Sequence, residues 1–219
     1  MIECIDAGNI SYKQALQWQK RLSERRREKE IPDTLLLLEH PPVYTFGKRD
    51  SSSDLLVTKK WLRQKGMEVF KTDRGGGVTY HGPGQLVGYL IFELKESIPS
   101  LVNKIEEMLI QILYHYHIEG ERDPKHPGIW IERRKIASLG LHIERGITRH
   151  GFSLNVNCDL KPFRYIHPCG IKDRGVTSLE AEVGWSPSMK EVKHYLLEKI
   201  SHVFRTNVIV GGNVPILAE

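Results

Sequence analysis

The sequence is poor in cysteine and contains no long apolar run. Its 219 residues include three cysteines, Cys4, Cys158 and Cys169, and no two of them form a CxxC pair. This odd, scattered set argues against a disulfide framework or a zinc site. No apolar stretch approaches the roughly 20 residues that span a membrane, and the first ten residues lack the features of a secretory signal. We therefore expect a soluble cytoplasmic protein with free thiols and no metal.

Common nucleotide-binding fingerprints are missing as well. The glycine-rich part of the chain contains neither GxGxxG nor the Gly-Lys-Ser/Thr ending of a P-loop. The formal net charge is +5, but the longest basic cluster, Arg25 to Arg27, ends a predicted helix, where it meets the negative end of the helix dipole. The charge therefore serves solubility or attracts an acidic partner, and we expect no nucleic-acid or membrane partner.

Local signals predict an α+β fold in a single domain over residues 1–219. Capping boxes at Ser11 and Ser188 start two helices, and the apolar spacing from Leu101 to Leu113 predicts a third. A hairpin is predicted through Arg145-Gly146. Further strands are predicted at Thr34–His40, Met67–Lys71, Gln85–Leu94 and Gly128–Glu132, with a short helix between Thr58 and Gly66. These elements suggest one mixed, largely antiparallel sheet covered by helices.

The stretch RGGGVTYHGPGQ, Arg74 to Gln85, combines backbone freedom with polar chemistry. Six of its twelve residues are Gly or Pro. Consecutive glycines adopt backbone angles closed to other residues and allow a ligand to lie on peptide N–H groups. A tight turn would also account for the glycines, but it leaves Arg74, Tyr80 and His81 unexplained as a set. We interpret the stretch as a ligand site formed by close approach to the main chain.

Two other segments carry candidate chemistry. Cys169 lies in a loop between Pro168 and Gly170 with basic neighbours, and positive charge lowers a thiol pKa and favours a nucleophile. Cys4 lies in the first predicted strand and Cys158 follows the end of another, and we expect both thiols to be inert. Lys135 begins a mainly apolar strand, either extending its ammonium to the surface or holding it in a site, and Ser138 to Gly140 leave room for a ligand along that strand.

Five ordered motifs give the chain a specific resemblance. They are HPPVYTFGKR (40–49), RGGGVTYHGPGQLVGY (74–89), KIASLGLHI (135–143), HGFSLNVN (150–157) and PCGI (168–171). In this order they resemble the lipoate-biosynthesis octanoyltransferases of the bacterial LipB family. The resemblance runs from about Glu39 to Glu180, and the remainder of the chain matches less distinctively.

The resemblance implies the fold of the biotin and lipoate protein ligases and an acyl transfer without ATP or another cofactor. The octanoyl donor would be octanoyl-acyl carrier protein. The acceptors would be lipoyl domains of 2-oxoacid dehydrogenase complexes and the glycine cleavage H protein. Cys169 would carry the acyl thioester and Lys135 would activate it. The substrate-lining positions implied are Arg74, Gly75, Gly76, Gly77, Val78, Thr79, Tyr80, His81, Ser138, Leu139, Gly140, Gly151, Phe152 and Ser153.

Other functions remain open at the level of sequence. A lipoate protein ligase would share the fold but adenylate free lipoate with ATP, and it would need no cysteine nucleophile. An amidotransferase would also use a cysteine but would take its acyl group from another lipoyl protein. A binding module without catalysis would leave Cys169 and Lys135 without a role.

The acyl pocket needs walls and polar contacts that these motifs can supply. We expect Arg74 and His81 to bind polar atoms of the substrates. We expect Val78, Tyr80 and the strand around Leu139 to close the pocket around eight carbons.

Overall fold

The computed structural model describes residues 1–49 and 52–211, without the side chains of Ser52 and Cys169. The helices are α1 Tyr12–Arg27, α2 Lys59–Gln64, α3 Ile98–His115, α4 Leu179–Val183 and α5 Met189–Phe204. The strands are β1 Ile2–Asn9, β2 Asp33–Glu39, β3 Val43–Phe46, β4 Glu68–Lys71, β5 Val78–His81, β6 Gln85–Ile91, β7 Glu121–Arg122, β8 Gly128–Ile131, β9 Arg134–Glu144, β10 Ile147–Asn155, β11 Gly175–Val176 and β12 Val208–Val210.

A nine-stranded sheet forms the centre of the molecule. Its order is β12-β1-β2-β6-β10-β9-β8-β7, and β11 pairs with β9 outside this path. The pairs from β2 to β7 are antiparallel, whereas β1 runs parallel to β2 and β12. The parallel β1–β2 pair is possible because a whole helix, α1, connects the two strands, which is the length that a parallel crossover requires.

Helices cover the two faces of this sheet. On one face α3 and α5 bury the largest apolar cluster, to which α3 contributes Leu101, Ile105, Met108 and Ile112 at helical spacing. On the other face α1 packs Ala15, Trp18 and Leu22 against residues of β2 and β6. Both cores follow from the amphipathic pattern of the helices, because a helix stabilises the fold by burying one apolar stripe.

A second, three-stranded sheet of order β4-β3-β5 accompanies the large one. Its core contains Tyr44 and Tyr80 together with Phe163 from the 3₁₀ turn Lys161–Tyr165. The expectation of an α+β fold with a mixed sheet covered by helices is confirmed. The structure adds this separate small sheet, of which β3 was not predicted because it is only four residues long and directly follows two prolines.

The predicted local signals are present where the chain reverses or starts a helix. Ser11 Oγ accepts a hydrogen bond from the Gln14 N–H, and Ser188 Oγ accepts one from the Glu191 N–H, both at 3.2 Å. The β9–β10 hairpin turns at Arg145 and Gly146, whose φ angles of 50° and 79° suit a two-residue hairpin turn. In the described part of the chain, no helix is long and apolar enough to cross a membrane.

Candidate active site

A small cavity lies between the large sheet and the glycine-rich loop. Its lining includes many of the substrate positions predicted from the sequence: Arg74, Thr79, His81, Ser138, Leu139, Gly140, Gly151, Phe152 and Ser153. Sequence reasoning missed the other lining residues, Tyr12, Val87, Tyr89 and His150. Three of these belong to α1 and β6, for which the sequence predicted a helix and a strand but no part in a site.

Small residues lie in register along the sheet side of the cavity. In the β9–β10 pair, Ser138 lies opposite Ser153 and Gly140 lies opposite Gly151. Since side chains on a strand alternate between faces, Ser138 and Gly140 share the face that looks towards the glycine-rich loop. A methyl group on Gly140 would lie 3.0 Å from the Gly75 carbonyl oxygen. The loop and sheet therefore approach each other closely where these side chains are small or absent.

The consecutive glycines dock the loop onto β9. The Gly75 N–H donates to the Leu141 carbonyl at 2.9 Å, and Gly76 has a φ of +83°. The Gly47 N–H donates to the Gly77 carbonyl at 3.1 Å, and a methyl group on Gly47 would lie 2.2 Å from the Gly76 oxygen. Glycine is thus required here for packing of one backbone on another, whatever ligand the cavity holds.

The Arg74 side chain crosses the base of the small sheet. Its Nε donates to the Thr45 hydroxyl at 3.1 Å, and Nη2 donates to the Thr45 carbonyl at 2.5 Å. Nη1 donates to the Gly75 carbonyl at 2.9 Å. These bonds fix the guanidinium beside the cavity, so in this structure its described contacts hold the loop in shape. Its expected role towards a substrate stays a prediction.

Aromatic and imidazole rings close one end of the cavity. His40 is fully buried, its Nδ1 lies 2.8 Å from the Ile10 carbonyl oxygen, and its Nε2 lies 2.7 Å from the Tyr89 hydroxyl. Tyr12 and His81 pack on His40, with ring centroids 5.3 and 5.8 Å from it. Burial lowers the pKa of His40 to about 4 and that of His81 to about 3. Both rings are therefore neutral at neutral pH.

His81 is held within the protein by a polar partner. Its Nδ1 lies 2.6 Å from Gln85 Oε1, and the Gln85 amide donates to Asn155 Oδ1 at 2.8 Å. Since an amide oxygen can only accept, Nδ1 carries the proton in this contact. The ring faces the cavity as a neutral imidazole with a fixed tautomer.

An ion-pair network holds His150 beside the cavity. Its Nε2 lies 2.8 Å from Asp73 Oδ1, and Arg149 Nη2 donates to Asp73 Oδ2 at 2.6 Å. The hydrogen bond from His150 is the main reason that the pKa of Asp73 is held far below its usual range. His150 has a φ of +60° inside a strand, a strained conformation for a residue with a side chain. The network holds His150 against the cavity lining.

Lys135 is buried at the edge of the site. It is 4% exposed, and its ammonium donates to the Pro127 carbonyl at 2.8 Å and lies 5.1 Å from the centre of the Trp130 ring. A methyl group on Gly128 would lie 2.5 Å from Lys135 Cε. The absence of a side chain at Gly128 therefore leaves room for the Lys135 side chain beside β8. Lys135 does not extend to the surface.

The side chain of Cys169 lies outside the part of the chain that the structure describes. Its backbone belongs to the 3₁₀ turn Pro168–Gly170, which contacts β5. The segment that follows returns to Lys135, because β11 pairs in parallel with Arg134 and Lys135 at the start of β9. The Arg174 guanidinium in this segment lies 4.8 Å from the centre of the Trp130 ring, on which Lys135 also packs. The fold thus brings the cysteine and lysine motifs to one region.

The other two thiols are buried. Desolvation is the largest cause that raises the pKa of both Cys4 and Cys158 to about 12. Neither forms a thiolate at neutral pH, so both are poor nucleophiles.

Two expected pocket walls lie elsewhere. Val78 and Tyr80 point away from the cavity into the apolar core of the small sheet, where Tyr80 packs edge-on against Phe163 at 5.5 Å between ring centroids. The alternation of β5 explains this placement, since Thr79 and His81 take the cavity side. Leu139 lines the cavity but packs against the core beneath α3.

The cavity is small in this structure. Its volume is about 30 Å³, well below the roughly 150 Å³ of an engineered cavity that binds benzene. An acyl chain of several carbon atoms therefore needs more room than the cavity has in this structure.

Comparison with known proteins gives consistent results along the chain. The family model described as the lipoyl protein ligase A/B catalytic domain matches residues 11–201. An octanoyltransferase of Alkaliphilus metalliredigens is 42% identical over 95% of this chain and 97% of its own length. An octanoyltransferase of Rubrobacter xylanophilus is 50% identical over 81% of each chain.

Solved structures share the fold at lower identity. A lipoate protein ligase of T. acidophilum with bound lipoic acid superimposes with a TM-score of 0.76 at 14% identity, covering 98% of this chain and 90% of its own. A biotin protein ligase of Aquifex aeolicus gives a TM-score of 0.53 at 15% identity, covering 94% of this chain and 69% of its own. At these identities the likeness concerns the fold alone, and it confirms the expected ligase architecture.

Proposed function

Because the chain belongs to the lipoyl protein ligase A/B catalytic-domain family, and the relatives cited above are octanoyltransferases, we propose that it is an acyltransferase of lipoate biosynthesis. It moves an octanoyl group from octanoyl-acyl carrier protein to a lysine of a lipoyl domain, with Cys169 as the acyl carrier in between. The observation that carries this proposal is the convergence of the Cys169 segment on buried Lys135 beside a cavity lined by small residues.

The reaction has two steps that balance without ATP. The Cys169 thiolate attacks the donor carbonyl, a new C–S bond forms, and the bond to the carrier sulfur breaks. The carrier leaves as a thiol after taking up one proton, which the Lys135 ammonium supplies. The acceptor lysine amine then attacks the enzyme thioester, an amide bond forms, and Cys169 leaves as a thiolate. Neutral Lys135 takes the proton from the amine, so the enzyme returns to its starting state.

Burial gives Lys135 a suitable environment for both steps. An ammonium next to a thiolate in a partly desolvated site stabilises the ionised pair by several-fold more than it would in water. A shift of about two units in the thiol pKa requires about 2.7 kcal/mol. Once the thiol is acylated its charge is lost, and a buried ammonium then gives up its proton more readily.

A basic groove next to the Cys169 turn supports an acidic donor. The groove has a volume of about 590 Å³, and its lining includes the basic side chains of Lys161, Arg164, Lys172 and Arg174 but one acidic residue, Asp159. Lys161, Arg164 and Lys172 are exposed and form no ion pair with any described residue. Acyl carrier proteins are acidic, so this surface would speed their encounter, and the effect should weaken as salt rises.

The decisive test is a covalent adduct. The protein is incubated with octanoyl-acyl carrier protein and examined by intact-mass and peptide mass spectrometry. We expect one octanoyl group on Cys169, and transfer to a lipoyl domain without ATP. Cys169→Ala should lose both adduct and transfer, whereas Cys158→Ala, which removes a buried thiol, should still form the adduct.

Three outcomes would contradict this proposal. An active Cys169→Ala protein would exclude the thioester mechanism. Transfer that requires ATP and free octanoate would instead identify a ligase. In a competition between octanoyl-acyl carrier protein and an octanoylated lipoyl protein, a preference for the second donor would identify an amidotransferase.

A further inference from the structure

The register of the sheet defines a path across its strands. Ser138 of β9 pairs with Ser153 of β10, which pairs with Val87 of β6. One row further, Gly140 pairs with Gly151, which pairs with Tyr89. The two rows lie side by side, and all six residues line the cavity. The floor therefore extends across the strands from β9 to β6, and a ligand that enters at β9 has room to lie along it.

The reactive end of this path lies at β8 and β9. Lys135 Nζ would be 3.1 Å from a methyl group on Gly128, and Gly128 is paired with Ser138. The ammonium is therefore level with the first row of the floor, at its outer end. Adjacent strands are about 4.8 Å apart, so the distance from β8 to β6 is roughly 14 Å.

The length of an octanoyl group matches the distance from the region of Lys135 to β6. An extended chain advances about 1.2 Å per bond, as an extended backbone does, so the seven carbon–carbon bonds of octanoyl span roughly 8 Å by that measure. With the thioester near Lys135 at the edge of β9, the terminal methyl group reaches β6. The side chains at that end are Val87 and Tyr89.

Hydrogen bonds fix the Tyr89 ring in place. A backbone carbonyl can only accept, so His40 Nδ1 carries the proton that is donated to the Ile10 oxygen at 2.8 Å. His40 Nε2 is then an acceptor, and it receives the Tyr89 hydroxyl at 2.7 Å. Tyr12 packs against His40 from α1, and His81 packs against it from β5. The ring of Tyr89 is therefore braced from behind by residues of three other elements.

We infer that Tyr89, braced by His40 and flanked by Val87, is the end wall of the acyl pocket and sets its upper limit near eight carbons. The inference rests on the proposed octanoyl transfer and assigns its chain-length specificity to named side chains. A longer chain meets a wall that has no room to yield, because the buried hydroxyl has its partner only in this position. The wall replaces the one expected at Val78, Tyr80 and Leu139.

The test compares decanoyl and octanoyl donors on variants of β6. Tyr89→Leu shortens the wall, and Val87→Ala enlarges the same end without disturbing a hydrogen bond, so the test survives if Tyr89→Leu does not fold. The matched control is Leu86→Val, because Leu86 lies on the same strand but packs in the core beneath α3. The measurement is kcat/KM for each donor, together with the enzyme adduct formed from each.

We expect the decanoyl-to-octanoyl ratio of kcat/KM to rise on the order of tenfold in Tyr89→Leu, the value for two further buried methylenes. It should rise several-fold in Val87→Ala and stay at the parent value in Leu86→Val. If the parent accepts octanoyl on Cys169 but neither wall variant raises the ratio, the wall inference is wrong and the proposed function stands. If the parent accepts no acyl group, the proposed function itself fails.

Discussion

The buried histidines should make the fold sensitive to mild acid. Burial is the largest cause that lowers the pKa of His40 from 6.5 to about 4 and that of His81 from 6.5 to about 3. As pH falls below 6.5, the unfolded chain takes up protons that the folded chain does not bind. Stability is therefore complete above about pH 6.5 and is lost as pH falls towards the folded values. The rings that surround His40, those of Tyr12, His81 and Tyr89, carry no charge in this range.

The size of the effect follows from the two pKa values. At pH 5 an unfolded histidine lies about 1.5 units below its own pKa, and each unit corresponds to about 1.4 kcal/mol. Each buried histidine then costs about 2 kcal/mol of unfolding free energy, and the pair about 4 kcal/mol. That is a large share of the roughly 5–15 kcal/mol that stabilises a typical domain. His150, whose pKa is also lowered by burial, acts in the same direction.

The assay is denaturant unfolding measured between pH 7.5 and 5. This window avoids Asp73, whose ordinary pKa is 3.8, so its loss of stabilisation falls at lower pH. In the parent, unfolding free energy should fall by at least about 4 kcal/mol across the window, since His150 adds to the effect of the pair. His40→Gln and His81→Gln should each be less stable at pH 7.5 but lose about 2 kcal/mol less on acidification.

The control variant is His194→Gln, which alters an exposed histidine of α5. It should keep the parent pH dependence. If His40→Gln and His81→Gln also keep the parent dependence, the two histidines are not neutral buried groups and the account of the cavity end is wrong.

Two further predictions concern the lysine. Lys135→Ala should move the pH midpoint of Cys169 alkylation upward, because the positive partner is lost. Acyl-enzyme formed in advance on this variant should pass octanoate slowly to a lipoyl domain. A midpoint that does not move would show that Lys135 is not the activator. Gly128→Ala should lower kcat/KM by up to about 10²-fold, the effect of a displacement of about 1 Å, since its methyl group would clash with the Ala137 carbonyl oxygen and lie 2.5 Å from Lys135 Cε. Gly146→Ala is the control for a side chain at positive φ, because Gly146 has a φ of +79° and its methyl group would contact nothing within 4 Å, whereas Gly128 has a φ of +130°. Equal losses in both variants, after correction for thermal stability, would contradict the steric argument.

The sequence predicted best those features that are encoded locally. The caps at Ser11 and Ser188 and the hairpin at Arg145-Gly146 depend on residues within four positions of one another, so the pattern contained all the information. The parallel pairing of β1 with β12 joins residues about two hundred positions apart. Only the assembled sheet decides such a pairing, and no local signal distinguishes it from an antiparallel alternative.

The ring cluster at the cavity end could not be predicted for the same reason. Tyr12, His40 and Tyr89 come from α1, the end of β2 and β6, and each was accounted for in the sequence as part of an apolar element or a motif. A weak signal existed in the position of His40 at the end of the predicted strand Thr34–His40, where a buried imidazole needs partners. The partners themselves, Ile10 and Tyr89, became visible only in the fold.

Residue type also misled the assignment of pocket walls. Val78 and Tyr80 were expected to close the pocket but belong to the core of the small sheet, whereas the expected contact of His81 with polar atoms of the substrates stays a prediction. In the fold, His81 is uncharged and its Nδ1 is already bonded to Gln85. The bond to Gln85 occupies one of the two ring nitrogens of His81. Tyr89 presents ring carbon to the cavity, because its hydroxyl is bonded to His40. An alkyl chain can therefore end against residues that a sequence would label polar, since hydrogen bonding and burial, and not residue type, decide what a side chain presents.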